Sequence, residues 1–406
     1  MNQTGRARNI VFIAVIAACL LSVVVYKAII YFTPLEEEES SALEARTYQN
    51  LPDLTWDLFS SGGYQDDFEQ FVADSIPGRD AALLINAALQ RSAISAANVP
   101  FGYEAYPTFY GSDYVVIPSL NAVWAKAKTT STVTQADMDK WAGVCAEVIE
   151  CAPDADWLFY LCDRSNISEA NPAVTLSDNA SDYSYITEGF LNLLPDSCIV
   201  VDGSYSDTEE FAEDHFLTDH HWSITGAMKA YESIIEALDK EPVKFGEVYV
   251  AYEGPFWGSC ARMGLALVGD ADMICDVEYE KSSLKVTANG VEREESFLDE
   301  SYAAGFTTYA NSSLFENTYA SYFHGDYGLI EMENLDMQNG ESLLIIGDSF
   351  TDCMDRFFAE NYQYVYVIDP RHYDNGTIRE FLGEHDVDDA VFIISVETLD
   401  DVENLL

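Results

Sequence analysis

Positive charge is scarce in this chain: 20 lysines and arginines stand against 70 aspartates and glutamates in 406 residues, a formal net charge of −50. A surface of that sign repels nucleic acid and anionic lipid and favours neutral, cationic or zwitterionic partners. No nucleic-acid partner is therefore expected. Histidine is rarer, with six in all, so a catalytic base has few places to be. The eight cysteines include Cys19, which lies in an apolar N-terminal run and leaves an odd seven beyond it. No Cys-x-x-Cys pair occurs, and a disulfide framework cannot be read from the spacings, although Cys145 with Cys151 and Cys260 with Cys275 are near enough to close small loops. There is no internal repeat.

One long hydrophobic run is present. Residues 1–9 carry Arg6 and Arg8 and no acid, and Ile10 to Phe32 is apolar except for Ser22 and Lys27. This matches a spanning helix of about 20 residues with the arginines held inside. No small-residue cleavage site follows, so an uncleaved signal-anchor is expected. The reading is a cytoplasmic tail at 1–9, a single transmembrane signal-anchor at 10–32, an acidic linker at 33–50 and an extracytoplasmic domain over 51–406. The last is 13% aromatic by the chain's average, ample for a large core.

The chain is organised around Leu343-Leu-Ile-Ile-Gly-Asp-Ser-Phe350. Four apolar residues before Gly347 predict a buried strand, and a helical pattern follows from Thr351 to Phe358. Ser349 then stands at a strand-to-helix elbow, at the carboxyl edge of a sheet, with the amides of the following helix close by. A serine nucleophile requires a base. Thr218-Asp219-His220-His221-Trp222 offers a carboxylate two residues before an imidazole, an arrangement that can orient the ring and stabilise its cation. Adjacent histidines point to different sides and no second cluster supplies further ligands, so neither a metal nor a cofactor is expected. Cys353 is read as a core residue.

Buried strands are also predicted at Asp156–Asp163, Cys198–Asp202, Tyr364–Asp369 and Ala390–Ser395, a further strand at Val115–Pro118, and a helix over Gln135–Ile149. Their alternation argues for an α/β fold with a mainly parallel sheet covered on both faces. Phe68 to Arg91 predicts two helices broken at Pro77-Gly78. The region 243–334, with a hairpin at Lys285–Val291, is expected to form a small β-rich insertion near the site.

The Asp-His-His-Trp box followed by the Gly-Asp-Ser-Phe box resembles the DHHW protein family, a relative of the SGNH-like domains of the alginate O-acetylation proteins AlgX and AlgJ. Asp74-Ser-Ile-Pro-Gly-Arg-Asp80, Phe256-Trp-Gly-Ser259, Tyr322-Phe-His-Gly-Asp-Tyr-Gly328 and Val367-Ile-Asp-Pro-Arg371 extend the resemblance. It implies an SGNH-like three-layer fold in which Ser349 is the nucleophile, His221 the base and Asp219 its orienting acid. His220 fills the variable middle position, and its loss is expected to be mild. Trp222 is expected to support the base by packing. Oxyanion or substrate roles fall to Gly325 and Asp326, which stand where relatives have Gly-Asn, and to Arg371, Arg79 and, beside its packing role, Trp222. An ionised Asp326 cannot donate to an oxyanion.

The implied function is an exported serine acyl-transfer enzyme, an O-acetyltransferase of a cell-surface or secreted polysaccharide. It would accept acyl groups from a membrane-bound acyltransferase. The alternatives are a carbohydrate acetylesterase and a non-catalytic glycan-binding or wall-assembly protein.

Overall fold

A computed structural model of the protein describes residues 10–14, 17–18, 21–22, 25–26, 29, 32, 40–41, 43, 46–98, 100–108, 113–268, 271–299 and 317–406. The run expected to span a membrane, 10–32, and the linker, 33–50, lie partly outside these. Among the described residues no helix is long and apolar enough to cross a membrane. The chain divides into two units, residues 1–93 and 94–406.

In the first unit, Thr55 caps a helix at Trp56–Ser61 by accepting from the amide of Leu58. The two helices predicted around Pro77-Gly78 are Gly63–Asp74 and Arg79–Asn98, the second continuing past the unit's end. Gly78 takes φ 69°, a left-handed turn that a β-carbon would strain.

The second unit is built on one sheet of eight strands. They are β1 (Asp156–Leu161), β2 (Cys198–Val201), β3 (Leu284–Ala288), β4 (Val291–Arg293), β5 (Leu329–Asn334), β6 (Ser342–Gly347), β7 (Tyr364–Ile368) and β8 (Asp389–Ile394), in spatial order β4-β3-β5-β7-β6-β8-β1-β2. From β7 to β2 all neighbours are parallel. From β7 to β4 all are antiparallel. The sheet is thus mixed, and the expected β-rich insertion is revised. β3, β4 and β5 extend the main sheet, while Val248–Phe256 and Asp272–Val277 form a separate antiparallel ribbon. The β3–β4 hairpin turns at Asn289-Gly290, both with positive φ (48° and 71°), as a two-residue hairpin turn of matching twist requires.

The central parallel strands β6, β8 and β1 are apolar on both faces because both faces are covered, whereas the edge strand β2 leaves Ile199 and Val200 exposed. On β6, Leu343 and Ile345 join one core cluster and Leu344 and Ile346 the other. The first cluster takes in the helix α3 (Ile224–Ala237) through Tyr231, Ile234 and Ile235, and the short α4 (Asp355–Phe358) through Phe357 and Phe358. The second takes in α1 (Gln135–Ile149), α2 (Tyr183–Gly189) and α5 (Ile378–Glu384). α1 begins where predicted because Thr134 and Asp137 form a reciprocal capping box. It buries Met138, Trp141, Ala142, Cys145, Val148 and Ile149 at helical spacing. The seven cysteines from Cys145 onward are free thiols.

Candidate active site

β6 delivers its last residues to the carboxyl edge of the sheet, where the chain must leave a fully buried strand. Asp348, 3% exposed, holds that exit. Its Oδ1 accepts from the amide of Phe350 (3.1 Å), and its Oδ2 accepts from the amide and hydroxyl of Ser395 just beyond β8 (2.9 and 2.7 Å). Ser349 is fixed between two anchored neighbours. The helix expected from Thr351 starts instead at Asp355, because residues 351–354 are taken up by turns in which Thr351 N bonds Asp348 O and Met354 N bonds Thr351 O. Helix-end amides therefore do not follow Ser349 directly.

The Asp-His-His-Trp box sits on a loop pinched between His215 and Trp222, which form an isolated antiparallel bridge. Asp272 fastens the loop from outside by accepting from the amides of Leu217 and Thr218 (3.0 and 2.8 Å) and the Thr218 hydroxyl (2.5 Å). Trp222, 2% exposed, donates its indole N–H to the carbonyl of Phe350 (2.9 Å) and approaches Cys353 Sγ at 3.2 Å. It ties the histidine loop to the serine loop. Burial pushes the Cys353 thiol up to about 12, so this sulfur stays protonated and serves as packing.

The loops bring three side chains into one line. Asp219 Oδ1 lies 2.6 Å from His221 Nδ1, and His221 Nε2 lies 2.8 Å from Ser349 Oγ. Burial opposes a charge on Asp219, which is 5% exposed, yet the adjoining imidazoles and the donors His221 Nδ1 and Ser259 N (2.6 Å) hold its carboxyl well below the usual range. An ionised carboxylate accepts only, so Nδ1 carries the ring hydrogen and Nε2 faces the serine as an acceptor. The phenol of Tyr319 stacks on His221 (ring centres 4.0 Å apart, 6° between planes) and its hydroxyl donates to the carbonyl of Ser349 (2.8 Å). One residue therefore holds both partners of the serine–imidazole bond.

Tyr319, Ser259, Asp272 and Asp348 carry supporting roles that sequence reasoning did not assign. Ser259 had a signal in Phe256-Trp-Gly-Ser259. Gly258 is needed there because a β-carbon would come within 2.2 Å of Asp219 Cβ. The remaining candidates sit differently. Arg371 forks onto Asp369 (Nε to Oδ1 3.0 Å, Nη2 to Oδ2 2.6 Å) and also reaches Asp326 (2.7 Å). The amide of Gly325 donates to Phe323 O (2.7 Å). Arg79 belongs to the first unit, paired with Asp74 and Asp80. Two groups among the described residues offer ligand atoms close enough for a metal ion, Asp219-His220-His221 and Asp326-Asp369-His372. In the first, both nitrogens of His221 are already engaged. In the second, Arg371 already occupies both carboxylates.

Residues 178–368 match the family described as DHHW protein. A DHHW family protein from Eubacterium siraeum DSM 15702 has a similar fold, with TM-score 0.55 and 18% identity, covering 75% of this chain and 98% of its own. Bacillus cereus PatB1 with a sulfonyl adduct matches at TM-score 0.56 and 16% identity over 70% of this chain and 96% of that one. The O-acetyltransferase domain of Pseudomonas putida AlgJ is matched at TM-score 0.37 and 9% identity, covering 69% and 89%. No curated protein matches the chain.

Proposed function

We propose that this member of the DHHW protein family, matched over residues 178–368, is a serine acyl-transfer enzyme that O-acetylates a glycan outside the cytoplasm. The observation that carries the reading is the hydrogen-bonded line from Asp219 through His221 to Ser349, at 2.6 and 2.8 Å. In that line Ser349 Oγ attacks the acyl carbonyl while its proton passes to His221 Nε2, and Asp219 stabilises the imidazolium. Collapse of the tetrahedral adduct expels the donor's leaving group with the proton from His221. The acyl-serine is then attacked by an acceptor hydroxyl, deprotonated by the same imidazole, which restores Ser349. Water in place of the sugar hydroxyl gives the esterase outcome.

A transferase acting outside the cytoplasm needs an acyl supply. We assign that supply to a membrane-bound acyltransferase, with the apolar run 10–32 keeping Ser349 near it by raising effective concentration. Labelling of residues beyond Pro34 from outside intact cells is the expected result, and their protection would remove this topology.

The test of the reaction is release of 4-nitrophenolate from 4-nitrophenyl acetate. Ser349→Ala should abolish release while keeping the thermal transition of the parent protein. Equal rates in the two would refute the nucleophile. With a neutral oligosaccharide present, acetylated sugar marks a transferase, and acetate alone marks an esterase.

A further inference from the structure

An oxyanion formed on Ser349 needs donors, and the groups expected to supply them are engaged elsewhere. The Gly325 amide bonds Phe323, the Asp326 carboxylate bonds Arg371, and α4 does not begin until Asp355. The amide of Ser349 itself is unbonded among the described residues and can serve as one donor. A second is needed, and His220 adjoins the base directly.

His220 lies over His221 with ring centres 3.8 Å apart, and 6.2 Å from the Phe350 ring. Its side chain is 22% exposed where that of His221 is 8%, so it is the more solvent-facing imidazole of the pair. Its Nδ1 is 2.6 Å from Ser259 Oγ and a longer 3.5 Å from Asp219. The Ser259 amide is spent on Asp219, and its hydroxyl faces His220 Nδ1. A proton donated by that hydroxyl to Nδ1 leaves the ring's own hydrogen on Nε2, which no described residue engages.

We propose that His220 Nε2–H is the cleft-facing donor that stabilises the oxyanion on Ser349, and that Ser259 is the positioning residue that sets its tautomer. The inference rests on the acyl-transfer reading above. As the Oγ–carbon bond forms, the carbonyl π pair moves onto oxygen and the serine proton goes to His221. His220 donates a hydrogen bond without transferring its proton, and the negative charge returns to the carbonyl when the leaving group departs. Burial, His221 and Arg164 hold the His220 imidazole well below its usual range, so the ring keeps a single N–H through neutral pH.

The experiment follows acylation of the full chain by 4-nitrophenyl acetate in the parent, His220→Ala, His220→Gln, Ser259→Ala and Ser349→Ala. In place of the mild loss expected from the sequence, His220→Ala should lose on the order of 10²- to 10³-fold in kcat with KM little changed, the range for one lost oxyanion donor. His220→Gln, whose amide keeps an N–H near Nε2, should recover roughly tenfold of that with an unchanged pH profile. Ser259→Ala should fall between them. Affinity for methylboronic acid, a tetrahedral adduct former at serine, should weaken in step with kcat/KM, which a merely structural role would not produce. His220→Ala within threefold of the parent overturns the proposal, as does His220→Gln no better than His220→Ala with an intact thermal transition. Loss of activity in Ser349→Ala beside normal His220 variants removes this inference alone. Retained activity in Ser349→Ala removes the acyl-transfer reading and this inference with it.

Discussion

Replacing Asp219 by Asn probes the orientation of the base without changing its shape. The Asp219 carboxylate accepts from three donors: His221 Nδ1 at 2.6 Å and His221 N at 3.1 Å on Oδ1, and Ser259 N at 2.6 Å on Oδ2. An amide offers one acceptor and one donor edge, so one edge must oppose like with like. If the amide oxygen faces His221, the correct tautomer survives, but the negative charge that stabilises the imidazolium is gone and the amide N–H₂ confronts the amide of Ser259. If the nitrogen faces His221, Nδ1 must become the acceptor, and Nε2 then presents a hydrogen to Ser349 and cannot take its proton. Both outcomes remove transition-state stabilisation. The expected loss in kcat is on the order of 10²- to 10⁴-fold, about 3–5 kcal/mol. The assay is acylation by 4-nitrophenyl acetate, with the thermal transition as a control for folding. Activity of Asp219→Asn within threefold of the parent would refute the role given to this carboxylate.

Three further outcomes follow from the packing. Gly258→Ala drives a β-carbon to 2.2 Å from Asp219 Cβ, and the displaced carboxylate should cost on the order of tenfold or more in kcat; a normal rate would show that the contact relaxes without moving Asp219. Arg356, 2% exposed, bonds Asp276 at 2.5 Å and also pairs with Asp299, so Arg356→Met should destabilise by about 3–5 kcal/mol in urea denaturation. A smaller loss in the double change Arg356→Met with Asp276→Asn is expected, since it leaves no unpaired buried charge. His324 is buried, which disfavours its charge, but the Asp355 carboxylate 3.0 Å from Nε2 prevails and pushes it up to about 9 from an ordinary 6.5. Because the folded value is raised, the stabilisation is complete below pH 6.5 and is lost as pH rises through about 9, on the order of 3 kcal/mol. The urea midpoint should decline over that interval in the parent and stay flatter in His324→Gln, and equal slopes would contradict the pairing.

Local pattern determined much of this protein. The apolar run Leu343–Ile346 fixed a strand buried on both faces, Thr134 with Asp137 fixed the start of α1, and Asn289-Gly290 fixed the β3–β4 turn. These are properties of neighbouring residues, and burial period, capping and positive φ are written in the residue types themselves. Asp219, His221 and Ser349 were legible as candidates as well, because few side chains can serve as nucleophile, base and orienting acid. Only the tertiary structure decided how they meet. Ser349 and His221 are 128 residues apart, and their bond depends on Trp222, Tyr319 and Asp348 holding separate loops to one sheet edge. The antiparallel extension through β3 and β5 was equally hidden, since a half-buried strand pairs with whichever edge the fold leaves open. The expected helix at Thr351 failed for the same kind of reason. The exit from β6 is bound to Asp348 and Ser395, contacts across the sheet that outweigh the helical pattern of residues 351–354.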